Sequence, residues 1–372
     1  MKVLILSITA GEGHNSTAAA IKQSFESHGD TAEVYDAYRH VSKALYEIIK
    51  QGYLLVTKDF KTLFEKSYAL AENRKISENS IYRMANTTLV KKLEKLMKDF
   101  APDAVIYTHP FLGVVTDLIK TRRNIDVPMI GIVTDYTVHP FWEEARSTDK
   151  FVVASELLNS QFHRKGISDD RIAPIGIPVR SQFYDSIPKS RAKVQLGLAD
   201  KFTVLLMGGS MGYGDIANVV KEIDDIDGDF QIISVCGNNV EAKENIDALN
   251  TKKRLLNYGY TTEISLLMDA ADVIVTKPGG LTVSEALVKR LPMILCNSIP
   301  GHEQRNAMFL LNAGAAMEVD KHTHFADVIY QLLASKTRLD GMRAAIDTLA
   351  KANSTDALYD LTKELVAHYE NE

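Results

Sequence analysis

A histidine stands in a glycine-rich segment, Gly11-Glu12-Gly13-His14, just after the apolar run Val3–Ile8. Turns between a strand and a helix commonly hold phosphate on backbone N–H groups, and phosphate needs no imidazole. An imidazole titrates near neutrality and can act as a general base. The plainer reading is a structural histidine in a tight turn. Glu12 adds negative charge to the same turn, which disfavours an anion there.

A second glycine segment, Gly208-Gly209-Ser210-Met211-Gly212-Tyr213-Gly214, follows the apolar run Thr203–Met207. Its backbone N–H groups could meet an anion with no Cβ in the way. The alternative is a turn without a ligand. Farther on, Lys277-Pro278-Gly279-Gly280 leads into a helix predicted to begin near Leu281, which joins a lysine to a helix N-terminus and again suits phosphate. Glu285, one turn into that helix, could accept two hydrogen bonds from a ribose diol, or simply sit well in the helix dipole. Glu303 and Asn306, three residues apart at another predicted helix start, would share a face and suit sugar hydroxyls. The acidic run Asp224–Asp229 contains Asp-x-Asp but lacks the spacing and closing glutamate of a calcium loop, and reads as a surface turn.

These residues need a frame. Short Val- and Ile-rich runs with little alternation are separated by helical stretches, the pattern of parallel strands covered on both faces in an α/β protein. The predicted strands are Val3–Ile8, Glu33–Tyr35, Ala104–Tyr107, Met129–Thr134, Phe151–Ala154, Thr203–Met207, Gln231–Val235, Val273–Thr276 and Met293–Leu295. Both halves begin with a strand running into glycines, so two Rossmann-like units are expected, with a polar boundary near Arg180–Asp200. The domains are read as 1–185, 186–354 and a C-terminal helix, 355–372, whose Leu358, Leu361, Leu365 and Val366 form one apolar side that could pack back on the N-terminal domain.

Composition bounds the remaining choices. The 372 residues are 45% apolar and 24% charged, with a formal charge of −5, which gives no basis for a nucleic-acid partner. Cys236 and Cys296 end apolar runs and read as buried free thiols in a reducing compartment. No signal peptide or membrane span is expected, so any membrane role is peripheral. Residues 40–100 break the alternation and read as consecutive helices. They hold 12 Lys and Arg against 7 Asp and Glu inside an acidic protein. This insertion either covers the sheet or offers a surface to anionic lipid.

The ordered set G-x-G-H, T-D-x-x-x-H-x-x-W, G-I-P-V, L-M-G-G-S-x-G, K-P-G-G-L-T-x-x-E-A and P-G-x-E-x-x-N resembles the diacylglycerol glycosyltransferases. That family includes plant monogalactosyldiacylglycerol synthases and bacterial processive glucosyltransferases. The chain is similar, more distantly, to the enzyme that adds N-acetylglucosamine to the peptidoglycan lipid precursor. The resemblance spans nearly the whole chain. It implies a GT-B fold, two Rossmann-like domains facing a cleft, and inverting transfer of a hexose to a lipid, giving a β-glycoside.

By the resemblance, Gly208, Gly209 and Ser210 lie in the nucleotide-phosphate loop, and Lys277, Gly279, Gly280 and Leu281 lie at the diphosphate. Glu285 binds the ribose, and Glu303 and Asn306 face the donor sugar or its phosphates. His14, Asp135 and His139 line the acceptor side. His14 is the candidate base and His139 the rival, or a group that positions a headgroup. Asp135 would orient an imidazole or assist as base. The implied donor is UDP-glucose or UDP-galactose, and the acceptor diacylglycerol or another lipid on an anionic membrane surface. The implied place is the cytoplasm, at the inner face of the cell membrane. The scheme needs no metal ion or cofactor. His302 stands where relatives commonly carry glutamine, which leaves the donor sugar open. The alternatives are a GT-B enzyme with another lipid or a soluble acceptor, and a non-catalytic UDP-sugar-binding regulator.

Overall fold

The structure, a computed structural model, describes residues 1–9, 12–37, 80–123, 125–209, 212 and 215–371. Its residues form two compact units. The first comprises Met1–Ser181, Ile299–His302 and Asn353–Glu372; the second comprises Gln182–Ser298 and Glu303–Ala352.

The first unit is built on a six-stranded parallel sheet of β1 (Lys2–Ser7), β2 (Thr31–Asp36), β3 (Ala104–Tyr107), β4 (Met129–Ile132), β5 (Lys150–Val152) and β6 (Ile172–Ala173), ordered β2-β1-β3-β4-β5-β6. Nearly every residue of β1, β3 and β4 is buried. This explains their continuous apolar sequence, since parallel strands carry helices on both faces. One face is covered by the helix Glu12–Ser27, through Ala18, Ile21 and Phe25, and by the C-terminal helix Ser354–Asn371, through Leu358 and Val366. Leu361 and Leu365 pack against the same core, so the apolar side read from the sequence is the side that is used.

Around β3–β5 the aromatic rings interlock. Trp142 lies 5.9 Å from Tyr107 and 5.9 Å edge-on from Phe151. A Cβ on Gly131 of β4 would come within 2.9 Å of the Trp142 ring, so the glycine makes room for the indole. Trp142 of the T-D-x-x-x-H-x-x-W motif is therefore core. It anchors the short 3-10 helix Pro140–Glu144 that follows His139.

The second unit has its own parallel sheet of β7 (Phe202–Met207), β8 (Phe230–Val235), β9 (Leu255–Tyr258), β10 (Val273–Thr276), β11 (Met293–Leu295) and β12 (Ala316–Glu318), ordered β12-β11-β10-β7-β8-β9. Counted within the unit, this is the doubly wound Rossmann order. Cys236 and Cys296 are free and buried, and burial pushes the Cys296 thiol up to about 12.

Three strands escape a sequence reading. β6, β9 and β12 lie at sheet edges, are short or only half-buried, and lack the long apolar run that marks a central strand. Asp224, read as part of a surface turn, is buried. Its carboxylate accepts the backbone N–H groups of Lys252 and Lys253, both at 2.8 Å. The expected helical insertion lies outside the described residues up to residue 79. Its last part is the helix Ser80–Phe100, which buries Leu89, Leu93 and Met97. Among the described residues no helix is long and apolar enough to cross a membrane.

Candidate active site

In open parallel sheets, ligands bind beyond the carboxyl ends of the strands where the strand order reverses. In the first unit that point falls between β1 and β3, whose registers bring Leu6 beside Tyr107. The segments leaving these two strands carry His14, in the first turn of the following helix, and His109.

His14 is not in a free turn. The helix begins at Glu12, so His14 lies in its first turn. The segment before it is held by a chain of side chains. Asn15 accepts from Ser7 at 2.7 Å and donates to Thr9 at 2.9 Å, and Thr9 donates to Asp36. Gly11 and the side chain of Glu12 lie outside the described residues. The His14 Nδ1 lies 2.7 Å from the Thr108 carbonyl oxygen, and the Thr134 hydroxyl lies 3.2 Å from the same nitrogen. A carbonyl can only accept, so Nδ1 carries the proton and Nε2 presents its lone pair. Burial lowers the His14 pKa, and the positive end of its helix works in the same direction. The Asp135 carboxylate and the Thr108 hydrogen bond oppose this, and His302 reinforces it.

His139 has the opposite tautomer. Its Nδ1 accepts the Phe141 N–H at 3.2 Å, as the cap of the 3-10 helix, so the proton of the neutral ring sits on Nε2. That makes His139 a donor and leaves His14 the better-prepared base. His109, missed in the sequence reading, stands edge-on to His14 with ring centroids 5.0 Å apart. The only sequence signal for it was a histidine two residues beyond the apolar run of β3.

In the second unit the strand order reverses between β7 and β10, where Met207 pairs with Thr276. The two glycine turns leave these strands side by side. A pocket there is lined by Met207, Gly208, Ile216, Lys277, Cys296 and Asn297. The expectation that every glycine of the first turn gives room to a ligand needs correction at two of them. A Cβ on Gly208 would meet Ile216 at 2.3 Å, and one on Gly212, at φ +58°, would meet the Cys236 carbonyl oxygen at 2.1 Å. These two glycines let the turn fold onto its own unit. Gly209, at φ +73°, meets only the Lys277 stem, at 3.4 Å. Ser210 lies outside the described residues, as do Met211, Tyr213 and Gly214.

Gly279 caps the helix Gly280–Val288 with no side chain on the first-turn N–H groups, which belong to Gly280, Leu281 and the next residue. Glu285 is buried in the second turn of this helix. The Lys277 ammonium pairs with the buried Glu303 carboxylate at 2.5 Å. Asn306 is fully buried and donates to the Pro278 carbonyl at 3.0 Å. Glu303 and Asn306 thus share a face, as their spacing suggests, but that face meets the Lys277–Pro278 turn. Asn306, expected to face the donor, braces this turn through its hydrogen bond to Pro278.

Paired Rossmann-like units with these turns define the GT-B class of glycosyltransferases. Among solved structures, the fold is similar to that of Acinetobacter baumannii MurG, with a TM-score of 0.65 and 15% identity over 98% of this chain and 100% of that one. It is also similar to Anabaena HepE in complex with UDP, with a TM-score of 0.57 and 14% identity over 98% of this chain and 100% of that one.

Residues 14–179 match the family profile of monogalactosyldiacylglycerol (MGDG) synthase, and residues 203–365 match the glycosyltransferase family 28 C-terminal domain. The processive diacylglycerol beta-glucosyltransferase of Bacillus licheniformis is 30% identical, covering 96% of this chain and 93% of the relative. The enzyme of the same description from Bacillus subtilis is 30% identical, covering 98% and 95%. The chain belongs to the diacylglycerol glycosyltransferase family, within glycosyltransferase family 28.

Proposed function

We propose that this protein is an inverting hexosyltransferase that moves a hexose from UDP-glucose or UDP-galactose to diacylglycerol, or to a glycosyl-diacylglycerol, forming a β-glycolipid. The observation that carries the reading is the tautomer of His14. Its Nδ1–H is tied to the Thr108 carbonyl, so a neutral Nε2 lone pair is available beside Asp135.

The acceptor hydroxyl gives its proton to His14 Nε2, and its oxygen bonds to the anomeric carbon. The bond from that carbon to the β-phosphate oxygen breaks, and UDP leaves with the electron pair. Attack opposite the leaving group converts an α-linked donor into a β-glycoside. Asp135 stabilises the imidazolium as it forms.

The second unit holds the donor in this reading. The growing charge on UDP meets the uncapped helix start at Gly280 and Leu281, the backbone of Gly208, Gly209 and Ser210, and the ammonium of Lys277. Glu285 takes the ribose. Glu303 and Asn306 hold Lys277 and the Pro278 turn in place.

Contact with an anionic membrane, at the inner face of the cell membrane, is supported by the helix Ser80–Phe100. Lys91, Lys92, Lys95 and Lys98 are exposed, while Leu89, Leu93 and Met97 are buried. Such lysines each contribute ~1 kcal/mol near an anionic leaflet.

The test is incubation with each radiolabelled UDP-hexose and diacylglycerol vesicles, with mass spectrometry of the lipid product. A labelled β-hexosyl diacylglycerol is expected. No labelled lipid with either donor would refute the proposal.

A further inference from the structure

His109 has no assigned part in this reaction. It lies two residues after the end of β3, is half-buried, and its ring stands 5.0 Å from that of His14. Its Nδ1 accepts the Phe111 N–H at 3.2 Å. The proton of the neutral ring is therefore on Nε2. That N–H has no hydrogen-bond partner among the described residues. His14 and His109 are thus complementary: one offers a lone pair and its neighbour offers a proton.

Resting on the function proposed above, we infer that His109 is an acceptor-positioning residue. Its Nε2–H donates to an uncharged oxygen next to the reacting hydroxyl, while His14 Nε2 takes the hydroxyl proton. In diacylglycerol that oxygen is the neighbouring ester carbonyl; in a glycosylated acceptor it is the adjacent sugar hydroxyl.

Three observations select this role. His109 is not a second base, because its one lone-pair nitrogen is used by Phe111. It is not an anion site, because burial, then the neighbouring His14, His139 and His302, hold its pKa well below the usual imidazole value. A neutral donor suits a neutral oxygen. The Asp135 carboxylate acting on the adjoining His14 further disfavours an anionic group.

Two acceptors differing by one group test the inference: 1,2-diacylglycerol, and an acylated propanediol that keeps the hydroxyl but lacks the neighbouring ester. The wild type is expected to favour diacylglycerol by about tenfold in kcat/KM, the size of one hydrogen bond. His109→Phe keeps an aromatic ring beside His14 and is expected to bring this preference close to parity, mostly through the acceptor KM. His109→Gln, whose amide N–H reaches the Nε2 position, is expected to retain the preference. His109→Asn, whose amide reaches only the Nδ1 position, is expected to lose it. The Gln and Asn pair decides the matter if the Phe variant does not fold.

A preference that survives in His109→Phe or His109→Asn overturns the inference, as does a wild type that transfers sugar equally to both acceptors. In those cases the proposed activity still stands. A wild type that glycosylates neither acceptor overturns the activity itself, and this inference with it.

Discussion

The Nδ1 of His14 lies 2.7 Å from the carbonyl oxygen of Thr108, a residue 94 positions away in the chain. This one bond joins the first turn of a helix to the end of a neighbouring strand and decides which imidazole nitrogen carries the proton. The other nitrogen keeps its lone pair, as the proposed role of general base requires.

His14→Ala is expected to reduce kcat by about 10²- to 10⁴-fold, the range for loss of a positioned general base, with donor affinity unchanged. Calorimetric UDP binding alongside product analysis checks both parts. Because burial lowers the His14 pKa, the acid limb of kcat/KM is expected to have its midpoint below the ordinary imidazole value of 6.5. Asp135→Asn removes a charge that raises this pKa, so its acid limb moves to lower pH still.

The same shifts bear on stability. His14 and His109 both have pKa values lowered from 6.5, so below that pH the unfolded chain binds more protons than the folded one. Stability is therefore full above pH 6.5 and is lost as pH falls towards the lowered folded values. Urea titrations at pH 7.5 and 5.5 are expected to show a lower midpoint at the acidic pH. His109→Phe is expected to narrow the gap.

Gly212→Ala places a methyl group 2.1 Å from the Cys236 carbonyl oxygen, on a backbone with φ +58°. Non-glycine residues rarely adopt that conformation, and the rigid carbonyl cannot yield. The variant is expected to lose UDP binding and to lower the melting temperature. Normal values of both would show that the turn refolds around the methyl group.

Asn306→Ala leaves the buried Pro278 carbonyl without its carboxamide donor. The expected cost is about 1–3 kcal/mol of stability, read by denaturant unfolding. The donor KM is expected to rise with little change in the acceptor KM, since the proposed function assigns the turn that Asn306 braces to the donor.

Replacing Lys91, Lys92 and Lys95 together by glutamine is expected to release the protein from anionic vesicles in a sedimentation assay. The loss should be greater in low salt than in high salt, where the attraction is already screened. Unchanged retention would make the lysine face merely a solvated one.

The amino-acid sequence by itself determined the central strands, the two-unit organisation and the positions of the glycine turns. Those features are local. A short Val- and Ile-rich run bounded by turn residues reads as a buried parallel strand, and β3, β10 and β11 were legible to the residue. The ordered motifs, through the family resemblance, named His14, Asp135, Lys277 and Glu285 as candidates. The edge strands β6, β9 and β12 were not legible, because a strand so short or only half-buried leaves no long apolar run to read. Other features were decided only by the tertiary structure. The parallel register of β1 with β3 sets His14 beside Thr108 and His109, which are neighbours in space through strand order and not through spacing. The packing of the second unit turned Gly208 and Gly212 from clearance for a ligand into clearance for Ile216 and Cys236. It also set the Asn306 carboxamide against the Pro278 carbonyl. A tautomer, a buried brace and a steric fit each depend on a partner distant in the chain, and such partners are chosen only when the sheets assemble.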